Sequence, residues 1–492
     1  MSRIDEIAQE MLSDMDQGDM GPCTYDAAWV ARVKKPGNGE CAFPEVFEWL
    51  RSAQRPDGSW GSDIEYYPAR IISTLAAMVA LIEFEPDELA GQQIGRAFDY
   101  VLHTWPLMRH VAYDTVGFEI LVPTLLEESR RLGLPVADWL PEAHSLRQTK
   151  MQHFPPELIY SPKMTLGFSL EFMGDHLDQE QAKALQLANG SICNSVSATA
   201  YFCRHTGDEQ AYQYLHHVVD VCGPENITYG YPFETFEKVW VLYNLHIGGM
   251  MHNLSPFVKP HLDHIYHACR PEGVGFSAMS PLTDLDDTVV GLNLLHSYGY
   301  DVDWSILERY ERDAYFQCYP YERDASVSAN ANVLYALNNC PYKGRHDSIE
   351  KLLTFLRGRQ VKGTYWDDKW HISPYYVTSR VIIAAAPHDL DMLENTIRWI
   401  ENTQNADGSW GFYDLPTAEE TAYCLQALIA YKRQGGPVKD QILHRGAAFV
   451  YQHVTNDPAS FPSLWISKDL YRPKHIVRSA LLGALAMYQD GA

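Results

Sequence analysis

The chain has 492 residues, 46% of them hydrophobic, 12% aromatic and 21% charged, which excludes a disordered protein and allows more than one large core. Its 39 Lys and Arg against 63 Asp and Glu give a formal net charge of −24, which excludes a nucleic-acid binder, because phosphate contacts need clustered cations. The nine cysteines show no CxxC pair or other ligand spacing and are read as reduced, mostly buried side chains.

Met1 to Gly21 is acidic and amphipathic, with neither a basic head nor an apolar run, so no secretory signal is expected. No apolar stretch is long enough to predict a transmembrane segment, and a cytoplasmic location follows by default. A repeat organises the rest. WLRSAQRPDGSWG runs from Trp49 to Gly61, and WIENTQNADGSWG from Trp399 to Gly411. Between them, FLRGRQVKGTYW (Phe355 to Trp366) keeps Gln360 and Trp366 at the same offsets, and QLANGS (Gln186 to Ser191) is a weaker copy with Ile192 in place of the Trp. In the strong copies a helix ends, an Asp-Gly turn follows and an apolar helix begins. ARIISTLAAMVALI after the first turn and AEETAYCLQALIAY after the last both carry helical apolar spacing. Recurring hairpins of this kind predict an all-α fold of two α-barrels. The Gln is expected to cap a helix end and the Trp to pack on it, joining neighbouring hairpins.

The segment SPLTDLDDTVVGLNLL (Ser280 to Leu295) sets Asp284, Asp286 and Asp287 at the start of an apolar helix. Two readings compete here. Thr283 followed by Asp286 resembles a capping box, and acids in a first turn favour the helix dipole. Alternatively, three crowded carboxyls cannot all ionise, so the cluster retains a proton, as the protonation of an unactivated alkene requires. The 20 His, including HLDH (His261 to His264) and His216-His217, form no HExxH and no Cys/His array, while His371 beside Trp370 falls in a loop expected near a site. With 30 Tyr, 12 Trp and 18 Phe there are rings enough to wall a dry cation pocket, or simply to fill cores.

DLDD (Asp284 to Asp287) followed by Thr288 resembles the DxDD motif of class II terpene cyclases, and YDAAWVA (Tyr25 to Ala31) is similar to the SxYDTAWVA signature of diterpene cyclases. VGFEILVPTL (Val116 to Leu125), PFETFEKVW (Pro232 to Trp240), DKWHISPYY (Asp368 to Tyr376), EETAYCLQAL (Glu419 to Leu428) and LWISKDLYRP (Leu464 to Pro473) carry the likeness over nearly the whole chain. It looks nearest to bacterial halimadienyl and copalyl diphosphate synthase-like enzymes. The resemblance implies a βγ arrangement: a β-domain segment 1–23, an inserted γ-domain 24–212 and a β-domain 213–492 carrying DLDD, with substrate in the cleft between the barrels. It implies protonation-initiated cyclisation of geranylgeranyl diphosphate to a bicyclic product. That product should keep its diphosphate, because the DDxxD metal motif of class I synthases is missing.

On the same resemblance Asp286 is the general acid, tuned and oriented by Asp284 and Asp287, and Asn332 falls where the family places the acid's hydrogen-bond partner, with Ser328 one turn earlier. Lys150 and Lys369 match the diphosphate-binding lysines, with solvated surface lysines as the plain alternative, and Trp370 joins the substrate-binding set. Magnesium is expected to assist the diphosphate. Its ligands are unassigned, since the plant enzymes' acidic stretch here reads RHVAYDT, leaving Asp114 and Glu119. Where ent-copalyl diphosphate synthases carry a His and an Asn that position a deprotonating water, TLGFSLE and ITYGYP set Phe168 and Tyr229. Aromatic faces there would prolong the first bicyclic cation and favour a rearranged halimane or clerodane skeleton. Farnesyl diphosphate giving a drimane-type product, an α-barrel glycoside hydrolase with a polar cleft and a non-catalytic helical module are the rival readings. The expected partner is a small-molecule prenyl diphosphate, with a homodimer left open.

Overall fold

The computed structural model describes residues 3–491 except 36, 38, 85, 86, 458 and 459. Among the described residues the structure is helical apart from isolated bridges and one two-stranded antiparallel hairpin, Trp465–Ile466 with Leu470–Tyr471. Six helices pack side by side in a closed ring: Glu234–Ile247, Leu285–Ser297, Val327–Leu337, Pro374–Ala385, Ala418–Arg433 and Lys474–Gly491, the last returning against the first. Pro374–Ala385 has every residue buried, as an inner helix enclosed on all sides should. The outer helix Glu394–Asn402 buries only Thr396, Ile397 and Ile400, one apolar stripe facing inward.

A second ring is formed by Thr24–Ala31, Tyr67–Phe84, Phe118–Arg131, the tighter 3-10 segment Thr165–Met173 and Val196–Thr206. Tyr67–Phe84 is long and apolar enough by length and composition to cross a membrane, although no such segment is expected from the sequence; 78% of it is buried inside this barrel. An inner barrel helix, surrounded by protein, selects the same composition as a helix surrounded by lipid.

Each ring encloses its own core. Ile4 to Cys23 packs with the DLDD barrel, and the second core begins at Tyr25. On the way back Ile227 and Tyr231 belong to the second core, while Tyr229 and Phe233 belong to the first. A division at 212/213 therefore cuts the helix Glu209–Cys222, whose Tyr214, Leu215, Val218 and Val219 all lie in the second core. The chain passes between cores at about residue 230 instead; the amphipathic outer helix gave no boundary signal in the sequence.

The repeats join hairpins, with the two side chains dividing the work differently from expectation. Trp60, Trp366 and Trp410 donate their indole N–H to Leu50, Leu356 and Ile400 O at 2.7, 2.7 and 2.8 Å, so the Trp satisfies the orphan carbonyl at the outer helix end. Gln54 and Gln404 reach onward, donating to Gln93 O (2.8 Å) and Ile442 O (3.0 Å) of the next outer helix. Gly58 and Gly408 turn with φ of +92° and +94°, and a Cβ on either would stand 2.5 Å from a carbonyl of that helix.

Candidate active site

Asp284 holds an extended backbone (φ −134°, ψ 166°), and its side chain accepts from Asp287 N at 2.8 Å, which starts the helix Leu285–Ser297. The cap is therefore Asp284; Thr283 donates to Glu272 O at 3.2 Å instead. One acid serves the helix, and two remain for something else. All three are buried, at 4%, 8% and 2% exposure for Asp284, Asp286 and Asp287.

A helix N-terminus favours carboxylates by about 0.3–2 kcal/mol, whereas desolvating an ion costs several kcal/mol. Burial wins. It pushes the Asp286 carboxyl well above the usual range, with the charge of Asp284 adding to it and the Asn332 hydrogen bond opposing. Burial and the charges of Asp284 and Asp286 raise Asp287 likewise. Asp284 is raised less, to about 6, because hydrogen bonds from Asp287 and Tyr319 oppose its burial. Burial and the crowding of the cluster therefore both favour the protonated form of Asp286.

Asn332 Nδ2 donates to Asp286 Oδ1 at 3.1 Å, and Tyr243 OH donates to Asn332 Oδ1 at 3.1 Å. The other carboxyl oxygen of Asp286 has no partner among the described residues and is the one free to present a proton. Trp240 Nε1 donates to Asp287 Oδ1 at 3.0 Å, which fixes that carboxyl in place beside Asp286. Ser328 is not part of this chain; it donates to Asp368, whose other oxygen accepts from Val327 N at 2.9 Å at the start of the Asn332 helix.

Asp284, Asp286 and Asp287 border a cavity of about 260 Å³ between the two barrels, room for an organic chain rather than for a few waters. The second barrel contributes Phe154, Phe168 and the strip Tyr113–Gly117, and the first contributes Tyr229, Phe233, Phe236, Trp240 and Phe276. Phe233 and Phe276 stack at 4.4 Å, and Phe168 meets Tyr229 edge to face at 6.2 Å. Rings predominate on the inner walls and suit a hydrocarbon chain.

The hairpin Trp465–Tyr471 fixes the barrels against one another while lining the cavity with Trp465, Ile466 and Tyr471. At its tip Lys468, fully buried, donates to Glu171 Oε1 (2.7 Å), Ser195 Oγ (2.8 Å) and Ser197 Oγ (2.7 Å) of the other barrel. Tyr25 OH also donates to Glu171, and Asp26 accepts from Ser197 N, so YDAAW is part of an interdomain polar knot. Burial raises the Asp26 carboxyl to about 7 in spite of Lys468 and Ser197. The Lys468 ammonium lies 4.8 Å from the Phe168 ring centroid, so that ring already faces a cation of the protein itself.

The cavity mouth carries the charges. Lys369 Nζ donates to Glu322 Oε2 (2.5 Å) and Asp324 O (2.7 Å) and lies 5.0 Å from the Trp370 ring. Burial depresses this ammonium, but Glu322, with Cys318 and Asp368 behind it, more than restores it, leaving Lys369 a firm cation. Lys150 Nζ sits 3.7 Å from Glu119, and Arg323 links across the barrels to Glu119 (2.6 Å) and Asp114 (3.3 Å). Neither lysine is a solvated surface residue: their side chains are 21% and 16% exposed for Lys150 and Lys369.

The structure thus gathers all the expected site residues, Asp284, Asp286, Asp287, Asn332, Lys150, Lys369, Phe168, Tyr229 and Trp370, around one cavity or one step behind its wall. His371 stands behind the wall, accepting from Ser373 N at 3.1 Å and bonded to Glu419, with no face on the cavity. Reasoning from sequence passed over Arg323, Lys468 and the Phe233–Phe276 pair. Lys468 lies inside the LWISKDLYRP motif, so a signal was present; Arg323 and Phe276 lie in segments without one.

A buried carboxyl whose protonated form is favoured, opening on an aromatic hollow between two helical barrels with cations at the mouth, defines a class II terpene cyclase. Residues 323–461 match the squalene-hopene cyclase C-terminal domain. A type B diterpene cyclase of Mycobacterium tuberculosis (strain ATCC 25618 / H37Rv) is 35% identical over 485 residues, 95% of each chain. A chloroplastic bifunctional levopimaradiene synthase of Ginkgo biloba is 29% identical over 386 residues, which are 75% of this chain and 43% of that one. The structure of ent-copalyl diphosphate synthase from Streptomyces platensis superposes with a TM-score of 0.82 at 26% identity, covering 99% of this chain and 100% of that chain. The chain belongs to the class II diterpene cyclases, enzymes that act as intramolecular isomerases or lyases.

Proposed function

We propose that the protein cyclises geranylgeranyl diphosphate to a bicyclic diterpenyl diphosphate, with Asp286 as the proton donor. The observation that carries this reading is the Asp286 carboxyl itself, buried among two other carboxyls, tied through one oxygen to Asn332 and bordering the ring-walled cavity. The Asp286 O–H bond breaks, a C–H bond forms at the alkene, and the cation left behind is attacked by the next double bond until two rings close. Asn332 stabilises the carboxylate that remains. A proton passes from carbon to water to end the sequence, and solvent returns one to the Asp286 carboxylate, so the net reaction is an isomerisation in which the carbon–oxygen bond to the diphosphate is never broken.

The mouth orients the substrate. Lys150, Lys369 and Arg323 are the cations available to a diphosphate, which would exchange with the Glu119, Glu322 and Asp114 carboxylates that hold them now. Among the described residues no group of three or more His, Cys, Asp or Glu could hold a metal ion. A magnesium ion arriving with a diphosphate needs only one or two carboxylates, and Asp114 and Glu119 fit that need. When bound, it supplies charge screening for the diphosphate.

For the product we favour a rearranged halimane or clerodane skeleton. Phe168 has no basic atom, and burial keeps the Tyr229 phenol protonated, so neither offers the first bicyclic cation a base. Because Lys468 already faces the Phe168 ring, attraction of the cation falls instead to neighbours such as Phe233 and Phe276. Incubation of the purified protein with geranylgeranyl and farnesyl diphosphate, with NMR and mass spectrometry of the dephosphorylated products, tests both points. Unrearranged copalyl diphosphate alone would refute the skeleton, and turnover of farnesyl diphosphate alone would refute the substrate.

A further inference from the structure

Arg380, on the inner helix Pro374–Ala385, is 1% exposed, yet no carboxylate pairs with it among the described residues. Its Nη2 donates to Asn244 Oδ1 (2.9 Å), and among the described residues no acceptor meets hydrogen-bond geometry at its Nε or Nη1. The guanidinium carbon lies instead 4.8, 5.2 and 5.4 Å from the ring centroids of Tyr243, Tyr376 and Tyr423. An unpaired buried charge is costly, and cation–π contacts return only part of that cost, so an apolar side chain would serve packing better here.

One of the three rings leads to the acid. Tyr243 OH donates to Asn332 Oδ1 at 3.1 Å, and Asn332 Nδ2 donates to Asp286 Oδ1 at 3.1 Å. Resting on the reading of Asp286 as the acid, we propose that Arg380 is a positioning residue for proton transfer. Its charge acts through Tyr243 and Asn332 to strengthen the hydrogen bond that receives the Asp286 carboxylate. Hydrogen bonds in series polarise one another, and a cation at the far end makes each donor stronger. A guanidinium paired directly with Asp286 would ionise it and destroy the acid. Set behind a ring and an amide, the same charge leaves the resting proton in place and favours its departure.

The other titratable groups acting on Asp286 are the carboxyls of Asp284, Asp287 and Asp368, the Lys369 ammonium, the Cys318 thiol and the phenols of Tyr243, Tyr319 and Tyr376. Arg380→Gln leaves all of them in place while removing the guanidinium charge.

The test uses single-turnover cyclisation of geranylgeranyl diphosphate by the full chain. Arg380→Gln is expected to slow the step by roughly tenfold or more, with substrate affinity within about twofold, and Arg380→Lys to recover most of the rate. Tyr243→Phe keeps the ring and its packing but breaks the chain, and it should slow the step comparably, the two losses being less than additive in the double variant. Because the cation favours the carboxylate, its removal should also move the alkaline limb of the rate profile to higher pH while lowering the plateau. A wild-type rate and pH profile in Tyr243→Phe would overturn the proposal, as would an Arg380→Lys variant no faster than Arg380→Gln. Should Asp286→Asn cyclise normally, the underlying reading of the acid fails instead, so the two failures are told apart.

Discussion

Asn332 and Asp286 stand 3.1 Å apart, and their hydrogen bond works against the burial that favours the protonated acid. Burial stores the proton; the amide N–H makes its loss affordable. Asn332→Leu removes the donor and leaves the new carboxylate bare. A hydrogen bond to a charged group contributes about 1.5–3 kcal/mol, so kcat should fall roughly 10- to 150-fold with little change in KM. Steady-state kinetics checks this, and a kcat within about twofold of wild type would contradict it.

A neutral buried acid costs stability at high pH. Asp286 has a folded pKa raised above its unfolded value, so its favourable contribution is complete below the unfolded pKa and is lost as pH rises toward the folded one. Each pH unit in that window corresponds to about 1.4 kcal/mol. Asp286→Asn, which cannot ionise, should therefore gain stability over wild type progressively as pH rises above the unfolded carboxyl's pKa. Urea unfolding at a series of pH values measures the difference; a gap that stays constant or shrinks would count against a proton held there.

Lys468 and Glu171 form a buried pair across the two barrels at 2.7 Å, with side chains 0% and 1% exposed. Removing one partner strands the other. Lys468→Met should destabilise the protein by about 3–5 kcal/mol, and the additional Glu171→Gln exchange should recover part of the loss. Chemical denaturation reads both, and a loss below about 1 kcal/mol for Lys468→Met would show that the knot is not what joins the barrels.

At the mouth, Lys369 is bound to Glu322 in the absence of substrate. Lys369→Ala should raise KM for a prenyl diphosphate by roughly tenfold, the value of one charge-assisted contact, while kcat stays within about threefold. Glu322→Gln frees the ammonium and should shift KM the other way. Equal changes in kcat and no change in KM would place Lys369 in the chemistry rather than in binding.

Much of this was legible in the sequence for one physical reason: short motifs report local geometry. The Asp-Gly turns of the two DGSWG units require a left-handed residue, and both Gly58 and Gly408 adopt it. The three Asp at the head of an apolar helix exceed what capping needs, and the structure assigns the cap to Asp284 alone. Relations between distant segments were not legible. The cation that faces Phe168 lies 300 residues further along the chain, and the charge behind Tyr243 sits on another helix of the ring. The boundary near residue 230 escaped for a related reason, because an outer helix of either barrel presents the same single apolar stripe.

The most direct test is the turnover of Asp286→Asn with geranylgeranyl diphosphate, followed beside its folded state by circular dichroism. The substitution keeps size and shape, and the Asn332 contact can re-form on the amide oxygen. The expected result is a folded, thermally stable protein with cyclisation lowered at least about a hundredfold, the order of a general acid's contribution. A folded variant that cyclises at a rate near wild type would contradict it.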